Sequence, residues 1–197
     1  NFMTNDSVFN GLTLWTLNNL SEIDADGGNE VSEPPGKITL QFANGATWNV
    51  RSSNGLPGTL TLEKGIVNLG AGISSNQSPS IRFMVGSLSG QNGTISMRVN
   101  EDQRVTDQII IGKGSGNHFI KIPPTGTGPT EQSLNWLIYQ NQGNSNFTLE
   151  GGGKVELGAH TYELAQRNGM YPWESETESW WYLSQVTLSL IHISEPT

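Results

Sequence analysis

The stretch Ile38-Thr39-Leu40-Gln41-Phe42-Ala43-Asn44-Gly45-Ala46-Thr47-Trp48-Asn49-Val50 decides the fold class. Ile38, Leu40 and Phe42 alternate with Thr39 and Gln41, the period-two pattern of a strand with one buried face. Asn44-Gly45 ends the strand, because both residues tolerate the left-handed backbone of a sharp corner. Thr47 to Val50 starts a second short strand. The same unit repeats outward from there. Asn54-Gly55-Leu56-Pro57-Gly58 is a turn, Thr59-Leu60-Thr61-Leu62 a strand, and Lys64-Gly65 turns into Ile66-Val67-Asn68-Leu69. Strands of this kind continue to Val85. Leu40, Leu60 and Leu69 sit in segments of one shape, with a loose repeat of roughly twenty residues, the low end for solenoids. Antiparallel sandwiches and parallel β-helices both give this pattern, and periodicity alone does not separate them.

Further strands follow in the C-terminal half: Gly93 to Val99, Thr106 to Gly112, Gly114 to Ile120, Leu134 to Tyr139, Phe147 to Leu149, Val155 to Leu164 and Trp180 to Leu183. Toward the N-terminus, Leu12, Leu14 and Leu17 around Trp15 give one more strand signal. Asp24 to Gly36 is an acidic loop. Its carboxylates are hard-cation donors, but their spacing fits no standard calcium motif, so a solvated loop is expected.

Bulk properties narrow the function. The 197 residues include 6 Trp, 6 Phe and 4 Tyr and are only 14% charged, which argues against disorder. The formal net charge is −8 and no Lys/Arg cluster exists, so nothing would neutralise nucleic-acid phosphates. The absence of cysteine excludes a disulfide framework, a thiolate zinc site and a Cys nucleophile. It also suits a chain that crosses a membrane unfolded. No signal peptide is recognisable and no apolar run approaches a membrane span. The chain starts at Asn1 without an initiator Met, so it is expected to be a fragment lacking upstream and downstream parts. Leu188 to Thr197 resembles a translated sequencing adapter and is set aside from the fold.

The series of motifs resembles the C-terminal passenger region of a Gram-negative type V autotransporter, of the pertactin-like or AIDA-like kind. Asn44-Gly45-Ala46-Thr47-Trp48-Asn49-Val50 is similar to an Asn-Gly-Ala-x-Trp rung near the end of such β-helices, and Thr59–Leu62 with Gly65–Leu69 to the next rung. Thr106-Asp107-Gln108-Ile109-Ile110-Ile111 stands where the family has Ser-Asp-x-Leu/Ile-x-Val. Gly114-Ser115-Gly116-Asn117-His118-Phe119-Ile120 is similar to its Ala-Ser-Gly-x-His-x-hydrophobic element. Phe147–Leu149, Val155–Leu164 and Trp181-Tyr182-Leu183 complete the order. Thr106 replaces the usual Ser, Ser115 follows Gly114 where Ala is common, and Tyr171 to Glu178 lengthens the loop before the last strand.

The resemblance implies an all-β, right-handed parallel β-helix ending in a strand and hairpin autochaperone cap. Residues 1–87 would be the terminal rungs, 88–187 the cap, and 188–197 the adapter-derived tail. It implies an outer-surface or secreted location, an outer-membrane β-barrel in cis beyond this chain, and surface ligands if the whole protein is an adhesin. Uncapped solenoid ends expose unpaired backbone groups and apolar interior. Trp48, Asp107, Gly116, His118, Phe119, Trp136, Phe147, Gly158, Tyr162, Leu164 and Trp181 are the expected folding and cap anchors. Fully burying one of the large side chains stabilises by about 1.5–3 kcal/mol.

No residue carries catalytic spacing. Asp107 reads as a turn cap before Ile109. His118 has no Ser–His–Asp order or metal-ligand spacing around it and reads as structural. Gly158 reads as a turn or bulge. Of Trp180 and Trp181, alternation turns one outward, where a ring could stack on a sugar, while Trp181 reads as a core anchor. The Gly112 to Gly116 run lacks the following helix a phosphate loop needs. No catalytic residue, metal, cofactor or small-molecule substrate is therefore expected. Two rival readings are a polysaccharide-degrading β-helix, which would need clustered carboxylates on one face, and a carbohydrate-binding β-sandwich.

Overall fold

The computed structural model describes residues 2–5, 8–10, 38–73, 79–129, 136–169 and 178–186. The strand signal around Trp15, the acidic loop, the insertion at 171–177 and the tail at 188–197 lie outside them. The described residues form sixteen strands and no helix. In order these are β1 (Phe2–Asn5), β2 (Val8–Asn10), β3 (Thr39–Ala43), β4 (Thr47–Val50), β5 (Asn54–Glu63), β6 (Ile66–Leu69), β7 (Arg82–Ser96) and β8 (Val99–Asn100). Then come β9 (Val105–Thr106), β10 (Gln108–Gly114), β11 (Asn117–Lys121), β12 (Trp136–Gly143), β13 (Asn146–Leu149), β14 (Lys154–Leu157), β15 (His160–Asn168) and β16 (Ser179–Gln185).

Parallel pairing removes the ambiguity between helix and sandwich. One face stacks β1, β3, β5, β7, β10 and β12, all parallel. The other stacks β2, β4, β6, the end of β7, β11 and β13, also parallel. The fold is a β-solenoid of about three turns. β7 belongs to both faces: Arg82 to Leu88 pairs with β10, and Gly93 to Ser96 with β11. It bends between them, where Gly90 and Asn92 have φ of 108° and 57°.

From β3 onward, each described coil turns that corner with a left-handed residue. Asn44, Lys64, Gly116 and Gly143 have φ of 50°, 60°, 92° and 108°. Corner amides bond to the next coil, as in Gly45 N to Lys64 O (2.9 Å) and Asn146 N to Gly116 O (2.9 Å). At Gly116 a Cβ would collide with the Gly90 carbonyl oxygen as well as sit at positive φ, so only glycine fits.

The core is a set of ladders running up the stack. Leu40, Leu60 and Leu88 form one, and Phe83, Ile109 and Ile138 another. Trp48, Val67, Ile95, Ile120 and Leu149 form a third on the other face. Trp48 is fully buried, stacked on Phe42 at 5.8 Å and edge-on to Phe83 at 5.1 Å.

Two expectations need correction. Leu69 does not share the Leu40–Leu60 ladder; it pairs with Val50 on the opposite face. The repeat is also uneven: partners lie 20 residues apart from Leu40 to Leu60, 28 from Leu60 to Leu88, and 29 from Ile111 to Gln140. The expected boundary at 87/88 falls inside β7, and parallel stacking runs on to Leu149.

Candidate functional site

The expected cap anchors Phe147, Tyr162, Leu164 and Trp181 gather at the C-terminal end of the solenoid. β12 and β13 are its last parallel strands. Here the chain reverses. β16 pairs antiparallel with β12, β15 with β16, and β14 with β15. Gly158, at φ 61°, lies in the turn between β14 and β15, so the expected run Val155 to Leu164 is a hairpin.

Alternation in β16 turns Ser179, Trp181 and Leu183 inward. Trp181 sits opposite Ile138 and so ends the Phe83–Ile109–Ile138 ladder. It also meets Phe147 edge-on at 4.9 Å, joining the two faces across the end of the core. Trp181 and Phe147 are 2% and 4% exposed. Leu157 is buried with them, and Val155 and Leu164 pack on the same cluster.

Tyr162 ties the hairpin to the loop before β12. Its ring is buried and its hydroxyl donates to the Pro129 carbonyl at 3.1 Å. Gly128 lies so close to the ring that a Cβ there would collide with it. Burial, with a smaller effect of the Glu101 charge, pushes the phenol above its ordinary value. Removing that hydroxyl in Tyr162→Phe leaves the Pro129 carbonyl without its donor. A loss of about 1 kcal/mol in denaturant unfolding is expected.

Asp107 is more than a turn cap. It is fully buried and accepts four hydrogen bonds. Arg98 Nε and Nη2 donate to its two oxygens at 2.9 Å each, and the Arg98 and Ile81 amides donate at 2.9 and 2.7 Å. Arg98 Nη2 also donates to Pro79 O at 3.0 Å. This pair fastens the entry of β7, its exit and the entry of β10 to one another. The sequence reading did not single out Arg98; the available signal was an Arg between the apolar residues Met97 and Val99, nine residues before Asp107.

His118 sits in the stack between Gly93 and Phe147. It is 2% exposed, and its ring lies 5.8 Å from that of Phe147. Nε2 donates to Ser115 O at 3.1 Å, since a carbonyl can only accept. Nδ1 is buried without a hydrogen-bond partner among the described residues. Burial pushes the imidazole below its ordinary 6.5, outweighing the opposite effects of Ser115 O and the Glu63 charge. The unfolded chain therefore takes up the proton first. This contribution to stability is complete above about pH 6.5 and is lost as pH falls below it. The melting temperature is expected to drop between pH 7 and about pH 5, with a shallower drop in His118→Leu.

Two expected anchors are not core residues. Phe119 is 37% exposed, because it alternates with the inward-facing His118 and Ile120. Trp136 is half-buried on the outer surface, packed against Trp180 at 5.2 Å and Tyr139 at 6.5 Å. Among the described residues, no three His, Cys, Asp or Glu side chains are grouped to hold a metal ion.

Comparison with known proteins agrees with this architecture. The family model described as Pertactin matches residues 58–183. The chain belongs to the pertactin family. The match begins in β5 and ends inside β16, so it takes in both the coils and the pertactin-family chain's closing strands. The autotransporter adhesin/invasin TibA of Escherichia coli O78:H11 is 28% identical over 155 residues, 76% of this chain and 15% of TibA. The immunoglobulin A1 protease autotransporter of Haemophilus influenzae is 25% identical over 139 residues, 69% of this chain and 8% of that protein. The chain thus spans less than a sixth of either relative. Autotransporters of this kind are exposed at the outer membrane of Gram-negative bacteria or secreted from it.

Proposed function

We propose that the C-terminal part of this chain, expected from the sequence at residues 88–187, folds first and caps the β-helix during outer-membrane export. The observation that carries this reading is Trp181, which ends one core ladder and meets Phe147 on the other face. A solenoid propagates through nearest-neighbour interfaces, so an already folded end removes the nucleation cost for the next coil. The β14–β15 hairpin supplies that end with antiparallel partners only 3 to 9 residues apart, which close with less chain entropy than coils whose partners lie 19 or more residues apart.

In this reading the segment is not an enzyme. Its buried Asp107 and His118 are held by structural partners, and neither faces an open cleft. The working partner is a β-barrel encoded in cis, and folding outside the membrane biases the passenger outward without ATP. An adhesive role for the whole protein is proposed by analogy with TibA, an adhesin/invasin. The test places Tyr162→Ala or Trp181→Ala in the full-length protein and measures surface display and protease resistance. Poor display with a protease-sensitive passenger supports the reading; wild-type display and resistance in both variants would sink it.

A further inference from the structure

The last strands turn one set of aromatic residues inward and a second set outward, by alternation in β16 and with a bulge between Trp136 and Ile138 in β12. The outward set is Trp136 and Tyr139 on β12 and Trp180 and Tyr182 on β16, all half-buried. Trp180 lies opposite Tyr139, and Tyr182 opposite Trp136. The Trp180 ring is 4.3 Å from Tyr139 and 5.2 Å from Trp136, centroid to centroid. The capping role uses Trp181 and leaves this second cluster without a task.

Two arginines flank it in a chain whose formal charge is −8. Arg82 lies over Trp136 at 5.9 Å. Its Nε and Nη2 both donate to Gln108 Oε1, at 3.1 and 3.0 Å, and Gln108 Nε2 donates in turn to Trp136 O at 3.1 Å. The guanidinium is therefore held in place, with Nη1 unpartnered among the described residues. On the other side Arg167, directly opposite Trp180 in the β15–β16 pair, is exposed and has no side-chain partner among the described residues. Glu163 shares this outer face, but Lys154 lies directly across from it. From β7 to β15 the surface crosses four strand spacings, roughly 19 Å.

We propose that this face is a binding site for a uronate-bearing polysaccharide. Aromatic faces stack on the apolar C–H faces of pyranose rings. A guanidinium matches a carboxylate in two parallel hydrogen bonds. Two such groups at the two ends of an aromatic strip fit an acidic oligosaccharide lying across the strands. The cation–π position on Trp136 is already filled by Arg82, so a cationic ligand fits less well. The inference goes beyond the capping role and does not depend on it, since it concerns the opposite face of the same strands.

The test titrates the 197-residue chain with hyaluronan octasaccharide, a carboxylate-bearing probe, and follows tryptophan fluorescence. Maltooctaose serves as the uncharged control and a single-stranded oligonucleotide as the anionic control. Saturable binding is expected, weakened at least about tenfold in Arg167→Gln and in Trp180→Leu, and weaker by a similar factor for maltooctaose. If Trp180→Leu loses its β circular dichroism, the pair Arg82→Gln and Arg167→Gln decides instead, because both side chains are exposed. No saturable change, equal affinity in the variants, or equal or tighter binding of either control overturns the proposal. Display and protease resistance should stay normal in Arg167→Gln, which separates this result from a failure of the capping role.

Discussion

Asp107→Ala is expected to lower the unfolding free energy by about 3–5 kcal/mol, the cost of breaking a buried ion pair from one side. The carboxylate is fully buried and answers four donors. Its removal leaves the Arg98 guanidinium, 5% exposed, without its counter-charge. It also strips the Ile81 and Arg98 amides of their acceptor, and a buried donor left unsatisfied costs about 1–3 kcal/mol. The control is the double variant Arg98→Met, Asp107→Ala. It removes the stranded charge but not the two orphaned amides, so it should recover part of the loss and not all. The measurement is urea unfolding followed by both circular dichroism and tryptophan fluorescence. A loss under about 1 kcal/mol for Asp107→Ala would show that the pair is not a fastening.

Trp181→Ala should cost a similar amount, about 3–5 kcal/mol, for a different reason. The ring ends the Phe83–Ile109–Ile138 ladder and packs edge-on to Phe147. Truncation opens a cavity at the end of the core, next to the hairpin that would have to collapse into it. Trp181→Phe keeps most of the apolar area and should lose less. Trp180→Ala, one residue away on the outer face, should lose clearly less than Trp181→Ala. Equal losses at 180 and 181 would contradict the assignment of inner and outer faces.

Strand identity was legible because alternation is local. Ile38 to Phe42, Thr47 to Val50 and Ile66 to Leu69 appear where their period-two pattern places them, with the Asn44-Gly45 corner between the first two. Pairing was not legible, because partners lie anywhere from 19 to 39 residues apart and no constant period links them. That is why segments of one shape, those of Leu40, Leu60 and Leu69, do not all share one ladder. Phe119 was misplaced by reading side-chain size ahead of parity. In a regularly alternating strand adjacent residues face opposite sides, and in β11 an inward His118 implies an outward Phe119. The Arg98 side of the ion pair was hidden for a related reason. Its burial depends on a segment that only the fold brings beside it.

If the C-terminal part is a cap, it is organised before the coils it closes. The direct measurement is a pair of φ-values from refolding kinetics of this chain. Trp181→Phe reports on the cap and Leu40→Ala on an early coil. A φ-value of about 0.5 or more at Trp181 with about 0.3 or less at Leu40 is the expected result. The reverse order would contradict the account and leave the hairpin a late-docking lid.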